Sequence, residues 1–241
     1  MDPQASTPAA PVEPAARTAA RVAEFYERLI FPSRRSHPEY AGLVAVQPGQ
    51  RVGDFGCGQS LFYGALRRHQ PPPVFLDLSM SSLRTIDYGL RVRADLNRLP
   101  FPDGVYDRIL CIGVLHHLPE REKALCEMAR LLSPSGTLVL GVYAPGSLQS
   151  HLRRLHQSWS ASPWRALLLR ATAFLILARY RARGNSISAR EAMTRARDFL
   201  QVPFVRYAAP DSYAAEAAPA GLRLQERDRI AAMNILVFRR S

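Results

Sequence analysis

A glycine-rich turn, an acid at a strand end and a pair of histidines are the first features that carry chemistry. Arg51-Val52-Gly53-Asp54-Phe55-Gly56-Cys57-Gly58-Gln59-Ser60 reads as a strand running into a turn. Gly56 and Gly58 allow positive φ and let the backbone approach a ligand closely. A single Gly-x-Gly also occurs in nicotinamide enzymes, so it does not identify the ligand. Asp77 ends the next apolar run, Val74–Leu78. A carboxylate there can accept both hydroxyls of a ribose in charge-assisted bonds. His116 and His117 follow a later apolar run. Histidine titrates near neutrality and can take a proton from a hydroxyl or amine.

The elements that must position these groups alternate along the chain. Strands are expected at Arg51–Phe55, Val74–Leu78, Arg91–Leu96, Asp107–Val114 and Thr137–Tyr143. Helices are expected between them at Leu61–Arg68, Ser81–Tyr88 and Glu120–Leu132. Alternation at this spacing predicts a parallel sheet covered on both faces. The strands are apolar with little polar alternation, as doubly covered sheets require. Residues 147–200 interrupt the rhythm with two or three helices rich in Arg and Ala. A helix near Ser212–Ala220 and two strands, Leu222–Arg229 and Met233–Arg239, close the chain as an antiparallel hairpin at the sheet edge.

These residues together resemble the class I S-adenosylmethionine-dependent methyltransferases, in particular the large type 11-like group. Asp54-Phe55-Gly56-Cys57-Gly58 carries the resemblance, followed by Asp77 and by Ala94-Asp95-Leu96-Asn97-Arg98-Leu99-Pro100-Phe101. Tyr106-Asp107 through Gly113-Val114-Leu115-His116-His117-Leu118, and then Leu131-Leu132-Ser133-Pro134-Ser135-Gly136-Thr137, complete it. The resemblance implies a doubly wound, mostly parallel seven-stranded α/β sheet with a helical insertion after the fifth strand. The expected division is a disordered tail at 1–16 and one domain at 17–241. Within the domain, 17–49 forms a helical cover and 147–205 a helical lid.

The resemblance also assigns roles. Asp54 would hold the methionine ammonium of S-adenosyl-L-methionine, and Gly56, Cys57 and Gly58 would line its methionine and ribose portion. Asp77 and Leu78 would meet the ribose. Asp95 would accept from the adenine amine, with Leu96 beside it, and Ile112 and Gly113 would flank the cofactor. Asp54 also suits a plain turn acid. Ser60 replaces the family's third glycine and is expected to start the next helix as its N-cap.

His117, and then His116, are the candidate bases, although a purely structural His-His pair fits as well. No third ligand stands at a recognisable spacing, so no metal is expected. Tyr26 and His37 are candidate acceptor contacts from the leading helix, expected from Thr18 to Ile30. Phe25, Tyr26, Leu29 and Ile30 also read as an ordinary buried stripe. Arg206 and Tyr207 are candidate acceptor contacts from the other side.

The chain has 241 residues and a net charge of +12. All but one of its 32 basic residues are arginine, Lys123 being the exception. That skew fits genomic bias as well as an anionic partner. Cys57, Cys111 and Cys126 form no CxxC pair, which suits a reduced, cytoplasmic setting. No signal peptide is read at the start, and no apolar run approaches a membrane span. The helix at 164–180 is apolar with flanking arginines, which suits a lid, a dimer face or peripheral membrane contact.

The expected activity is methyl transfer to a small, lipophilic metabolite. The alternatives are a tRNA methyltransferase and a non-catalytic cofactor-binding partner subunit. A nicotinamide dehydrogenase is the rival for the same turn, but Asp95 before Leu-Pro-Phe has no role there.

Overall fold

Four consecutive buried residues make Val52–Phe55 (β1) a strand that only the centre of a covered sheet can accommodate. In the computed structural model, residues 14–32, 42, 45–143, 145–146, 148–159, 162–230 and 233–240 are described. The elements run Ala15–Arg28 (α1), β1, Tyr63–Leu66 (α2), Val74–Asp77 (β2), Met80–Leu83 (α3), Leu90–Arg93 (β3), Tyr106–Ile112 (β4) and Arg121–Leu131 (α4). Then come Leu132–Tyr143 (β5), Leu148–Ser158 (α5), Trp164–Ala182 (α6), Ala189–Gln201 (α7), Pro210–Ala217 (α8), Leu222–Ile230 (β6) and Met233–Arg240 (β7).

The sheet is seven-stranded with order β3-β2-β1-β4-β5-β7-β6. Strands β3, β2, β1, β4 and β5 pair in parallel, while β7 is antiparallel to both β5 and β6. The chain winds outward from β1 to β3, then returns to place β4 on the other side of β1. This reversal opens a crevice beyond the carboxyl ends of β1 and β4, the usual ligand position in such sheets.

Period-two alternation sends β4 side chains to both faces. Ile109 and Cys111 join the core that includes Phe55, Leu125, Met128 and Phe238. Leu110 and Ile112 join the opposite core with Val52, Leu66, Phe75 and Ile235. A third, smaller core sits among the helices between β5 and α8, where Ala173 of α6 meets Ala192 and Ala196 of α7. Small residues at this contact let the two helices approach closely. Helix α7 starts at Ser188, whose hydroxyl accepts the Glu191 N–H at 3.1 Å.

Several boundaries differ from expectation. The leading helix begins at Ala15, so residues 15 and 16 are not tail; residues 1–13 lie outside the described residues. Pro14 supplies a start that needs no N–H. The same helix ends at Arg28 rather than Ile30. The helix expected at Leu61–Arg68 holds helical pairing only over Tyr63–Leu66, because the turn before it continues through Ser60. The one expected at Ser81–Tyr88 is reduced to Met80–Leu83, capped by the Ser79 hydroxyl. Strand β3 stops at Arg93, which frees Ala94–Leu96 to form the loop at its carboxyl end.

Candidate active site

The turn after β1 is held by backbone bonds before any side chain is considered. The Gly56 and Cys57 N–H groups donate to the Leu76 carbonyl at 2.6 and 3.0 Å. Gly56 has φ +67° and Gly58 φ +52°. The two glycines answer different needs. A Cβ on Gly56 would fall 2.4 Å from Val114 Cγ2, so glycine is required there for packing. A Cβ on Gly58 would meet nothing within 4 Å, so this backbone faces open space.

Asp77 ties the turn to β2. Its Oδ2 accepts the Gly58 N–H at 2.7 Å and its Oδ1 accepts the Ser79 N–H at 2.8 Å. Each oxygen keeps a second lone pair for a ligand hydroxyl. Burial raises the Asp77 pKa, against the pull of these backbone donors.

A cavity of about 400 Å³ lies above these strand ends. Its floor includes Gly56, Cys57, Gly58, Asp77, Leu78, Asp95, Leu96, Ile112 and Gly113. Asp95 Oδ1 accepts the Asn97 N–H at 2.9 Å, which fixes the carboxylate at the end of β3. Burial pushes the Cys57 thiol well up, so it is no ready nucleophile.

Asp54 is 3% exposed and is absent from the cavity lining. Ser60, which does line the cavity, donates its hydroxyl to Asp54 Oδ2 at 2.6 Å. Ser60 itself has φ +59°, the left-handed conformation the replaced glycine would adopt. The expected N-cap role is therefore not what Ser60 does. Helix α2 begins later, after Phe62, with no side-chain cap. Burial pushes the Asp54 pKa up to about 7, with the Ser60 bond opposing and the Asp77 charge adding.

The roof comes from α1, β5, α6 and α7 with the residues that follow it. It includes Tyr26, Tyr143, Tyr180, Arg195, Asp198 and Val202, together with His116 and His117 from the turn after β4. His117 Nδ1 lies 2.9 Å from the Phe204 carbonyl, which can only accept, so Nδ1 carries a hydrogen. His117 Nε2 lies 2.9 Å from Tyr26 Oη, and Tyr26 Oη donates to Asp198 Oδ1 at 3.0 Å. Burial lowers the His117 pKa, opposed by the Phe204 carbonyl and the Asp198 charge. The neutral ring thus offers Nε2 as an acceptor.

His116 is fully buried, and neither of its ring nitrogens has a hydrogen-bond partner. Its ring lies 4.1 Å from that of His117 and 4.8 Å from that of Tyr143. Burial holds its pKa well below the ordinary histidine value. A buried polar ring left without partners is what a site for a polar ligand group would present.

Arg206 and Tyr207 do not line the cavity. The Arg206 N–H donates to the His116 carbonyl at 2.8 Å, and its guanidinium stands 3.6 Å from Glu216. Arg206 thus holds the His116 turn, while Val205 beside it reaches the cavity. His37 lies outside the described residues.

Sequence reasoning missed Tyr143, Tyr180, Arg195, Asp198 and Val202. One signal was available: Glu191 and Asp198 are the only acids between 147 and 205. Glu191 pairs with Arg195 at 2.6 Å, and the Arg195 guanidinium lies 4.9 Å from the Tyr180 ring centroid. Asp198 accepts from the hydroxyl of Tyr26. Among the described residues no three His, Cys, Asp or Glu side chains are grouped as metal ligands.

Residues 53–140 match the family model described as methyltransferase domain. The chain is 30% identical over 134 residues to the 27-O-demethylrifamycin SV methyltransferase of Amycolatopsis mediterranei, covering 48% of each chain. It is 33% identical over 126 residues to the probable tRNA methyltransferase 9B of Mus musculus, covering 51% of this chain and 27% of the relative. The chain thus spans under half the length of these curated relatives. Among solved structures, the 1,6-didemethyltoxoflavin-N1-methyltransferase of Burkholderia thailandensis, with bound 1,6-didemethyltoxoflavin and S-adenosylhomocysteine, superposes with TM-score 0.59. It covers 97% of this chain and 93% of its own at 13% identity, a likeness of fold.

Proposed function

We propose that this chain is a class I S-adenosylmethionine-dependent methyltransferase that moves a methyl group to a small, largely apolar metabolite. The observation that carries the reading is one continuous cavity with two kinds of lining. Glycine backbone and the carboxylates of Asp77 and Asp95 stand at the strand ends, and aromatic and aliphatic side chains from α1, β5, α6 and α7 close over them.

S-adenosyl-L-methionine, when bound, supplies a methyl group made electrophilic by a sulfonium centre. The residues present fit it. The free lone pairs of Asp77 suit two ribose hydroxyls, and Asp95 suits an exocyclic amine. The open space beside Gly58 admits a ligand that any side chain would obstruct. Ile112, Gly113 and Leu96 supply apolar walls. Asp54 acts through Ser60, whose hydroxyl it fixes at the cavity edge.

Because the methyl is already activated, the protein's work is alignment and exclusion of water. An acceptor hydroxyl or amine that reaches Tyr26 can pass its proton to Tyr26 Oη as Tyr26 turns its own from Asp198 and passes it to His117 Nε2. Asp198, bonded to the same tyrosine, stabilises the imidazolium that results. His116, with both nitrogens unpartnered, binds a polar group of the acceptor.

Incubation with methyl-labelled cofactor and fractionated cell extract tests this. Label is expected in an organic-soluble small-molecule fraction. Label confined to RNA would favour the tRNA reading, which the +12 charge and the mouse relative support.

A further inference from the structure

Helix α6 has two faces that need different surroundings. Its inner face packs on α7 through Leu169, Ala173, Ile176 and Leu177, and Tyr180 reaches the cavity. Its outer face shows Trp164 60%, Leu167 55%, Phe174 69% and Leu175 59% exposed. At about 100° per residue these four fall within about 60° of a single line along the helix. Arg170 and Arg181 flank that line on one side and Arg179 and Arg183 on the other, at about 80–120°. All four arginines are exposed, and α6 contains no acidic residue.

An apolar stripe bordered on both sides by arginine is not a surface that water alone favours. It does not suit a second copy of itself, because arginine rows would meet arginine rows with no acid on the helix to offset them. No described helix is long and apolar enough to cross a membrane, so the stripe does not span one. It suits the interfacial plane of an anionic bilayer. There the apolar side chains enter the acyl boundary and the arginines reach the lipid phosphates. Tryptophan is favoured at that depth.

We propose that the outer face of α6 docks on an anionic membrane surface. The same helix would then present one face to lipid and, through Tyr180, the other to the cavity. This goes beyond the methyl-transfer reading and gives an apolar acceptor a short path from bilayer to cavity.

Co-sedimentation of the full chain tests the docking without any turnover. Vesicles of phosphatidylglycerol with phosphatidylcholine are compared with phosphatidylcholine alone, with tRNA as competitor in a separate arm. The wild-type chain is expected to partition at least about tenfold more strongly onto the anionic vesicles. Phe174→Ser with Leu175→Ser is expected to lower that partition at least about tenfold. Arg170→Ser with Arg181→Ser should reduce the preference for anionic lipid. In a Trp159→Phe background, Trp164 fluorescence should shift to the blue on anionic vesicles only. Circular dichroism and S-adenosylhomocysteine binding, both expected to be unchanged, establish that the variants are folded. The proposal is overturned if the wild type ignores anionic vesicles, or if the Phe174/Leu175 variant binds them equally well. It is also overturned if tRNA abolishes the binding, or if the serine pair instead abolishes a lipid-independent dimer. None of these outcomes depends on methyl transfer, so they leave the enzymatic reading to its own test.

Discussion

Tyr26 and His117 lie 91 positions apart in the chain, yet Tyr26 Oη and His117 Nε2 stand 2.9 Å from each other above the cavity. The hydroxyl donates its one hydrogen to Asp198 at 3.0 Å, and with His117 neutral that hydrogen can turn to Nε2 but go to only one of the two acceptors at a time. Tyr26→Phe removes that hydrogen while keeping the ring. With an acceptor that must lose a proton, kcat is expected to fall about tenfold to a hundredfold, and KM for the cofactor to stay within about a factor of two. Steady-state kinetics in both substrates checks this, and a cofactor KM that moves with kcat would argue for a packing role instead.

The pH profile of the same reaction follows from burial. Desolvation lowers the His117 pKa from its ordinary 6.5, so the ring stays neutral and able to accept through the whole range above that value. Rates are expected to be level from pH 8 down to 6.5 and to decline only in more acid solution. A decline centred above 6.5 would mean that another group limits the step.

The two glycines of the turn should separate stability from binding. Gly56→Ala forces a methyl against Val114 at a positive φ, and is expected to destabilise the fold by about 3 kcal/mol. Gly58→Ala meets no atom of the protein, so its fold cost is about 1 kcal/mol from backbone conformation alone. Its methyl projects into open space, and S-adenosylhomocysteine affinity is expected to drop about tenfold, or about 1.4 kcal/mol. Urea unfolding and calorimetry on both variants would show the reversal. Equal effects on both readouts would contradict the distinction.

Asp54 should make the ligand-free protein less stable as pH rises. Its pKa is raised from 3.8 to about 7 by burial. Below the ordinary value the folded and unfolded chains both hold the proton, and above about 7 neither does. Between these limits only the folded chain is protonated, so stability is lost with rising pH, by about 4 kcal/mol over the window. The unfolding free energy of the wild type relative to Asp54→Asn is therefore expected to fall between about pH 4 and pH 7. Parallel curves would mean that Asp54 ionises as an exposed carboxylate does.

The floor of the site was far more legible in the sequence than its roof, for a physical reason. A turn that needs positive φ at Gly56 and Gly58 restricts residue type severely, and a carboxylate at the end of β2 has few alternatives that bind the same backbone donors. That the first five strands form a parallel sheet covered on both faces followed from their apolar character and their alternation with helices, whereas their order came only with the structure. The roof depends on how α1, α6 and α7 lean over the cavity, and helical periodicity leaves that orientation open. Tyr180 and Asp198 belong to no motif, and only the fold brings them to the cavity that Tyr26 and His117 line. Ser60 misled because serine starts helices well, whereas here it occupies the left-handed position and spends its hydroxyl on Asp54. Arg206 and Tyr207 lie next to the site in the chain, but Val205 is the residue of that stretch that lines the cavity.

The central claim is that Asp77 and Asp95 frame a pocket for an adenosyl amino-acid ligand. Calorimetric titration of the purified chain with S-adenosylhomocysteine tests it most directly, with Asp77→Asn alongside. The wild type is expected to bind in the micromolar range, and Asp77→Asn to lose about ten- to a hundredfold in affinity, the weight of charge-assisted bonds to ribose. No heat of binding from the wild type at millimolar ligand, or equal affinity in the two proteins, would contradict the account.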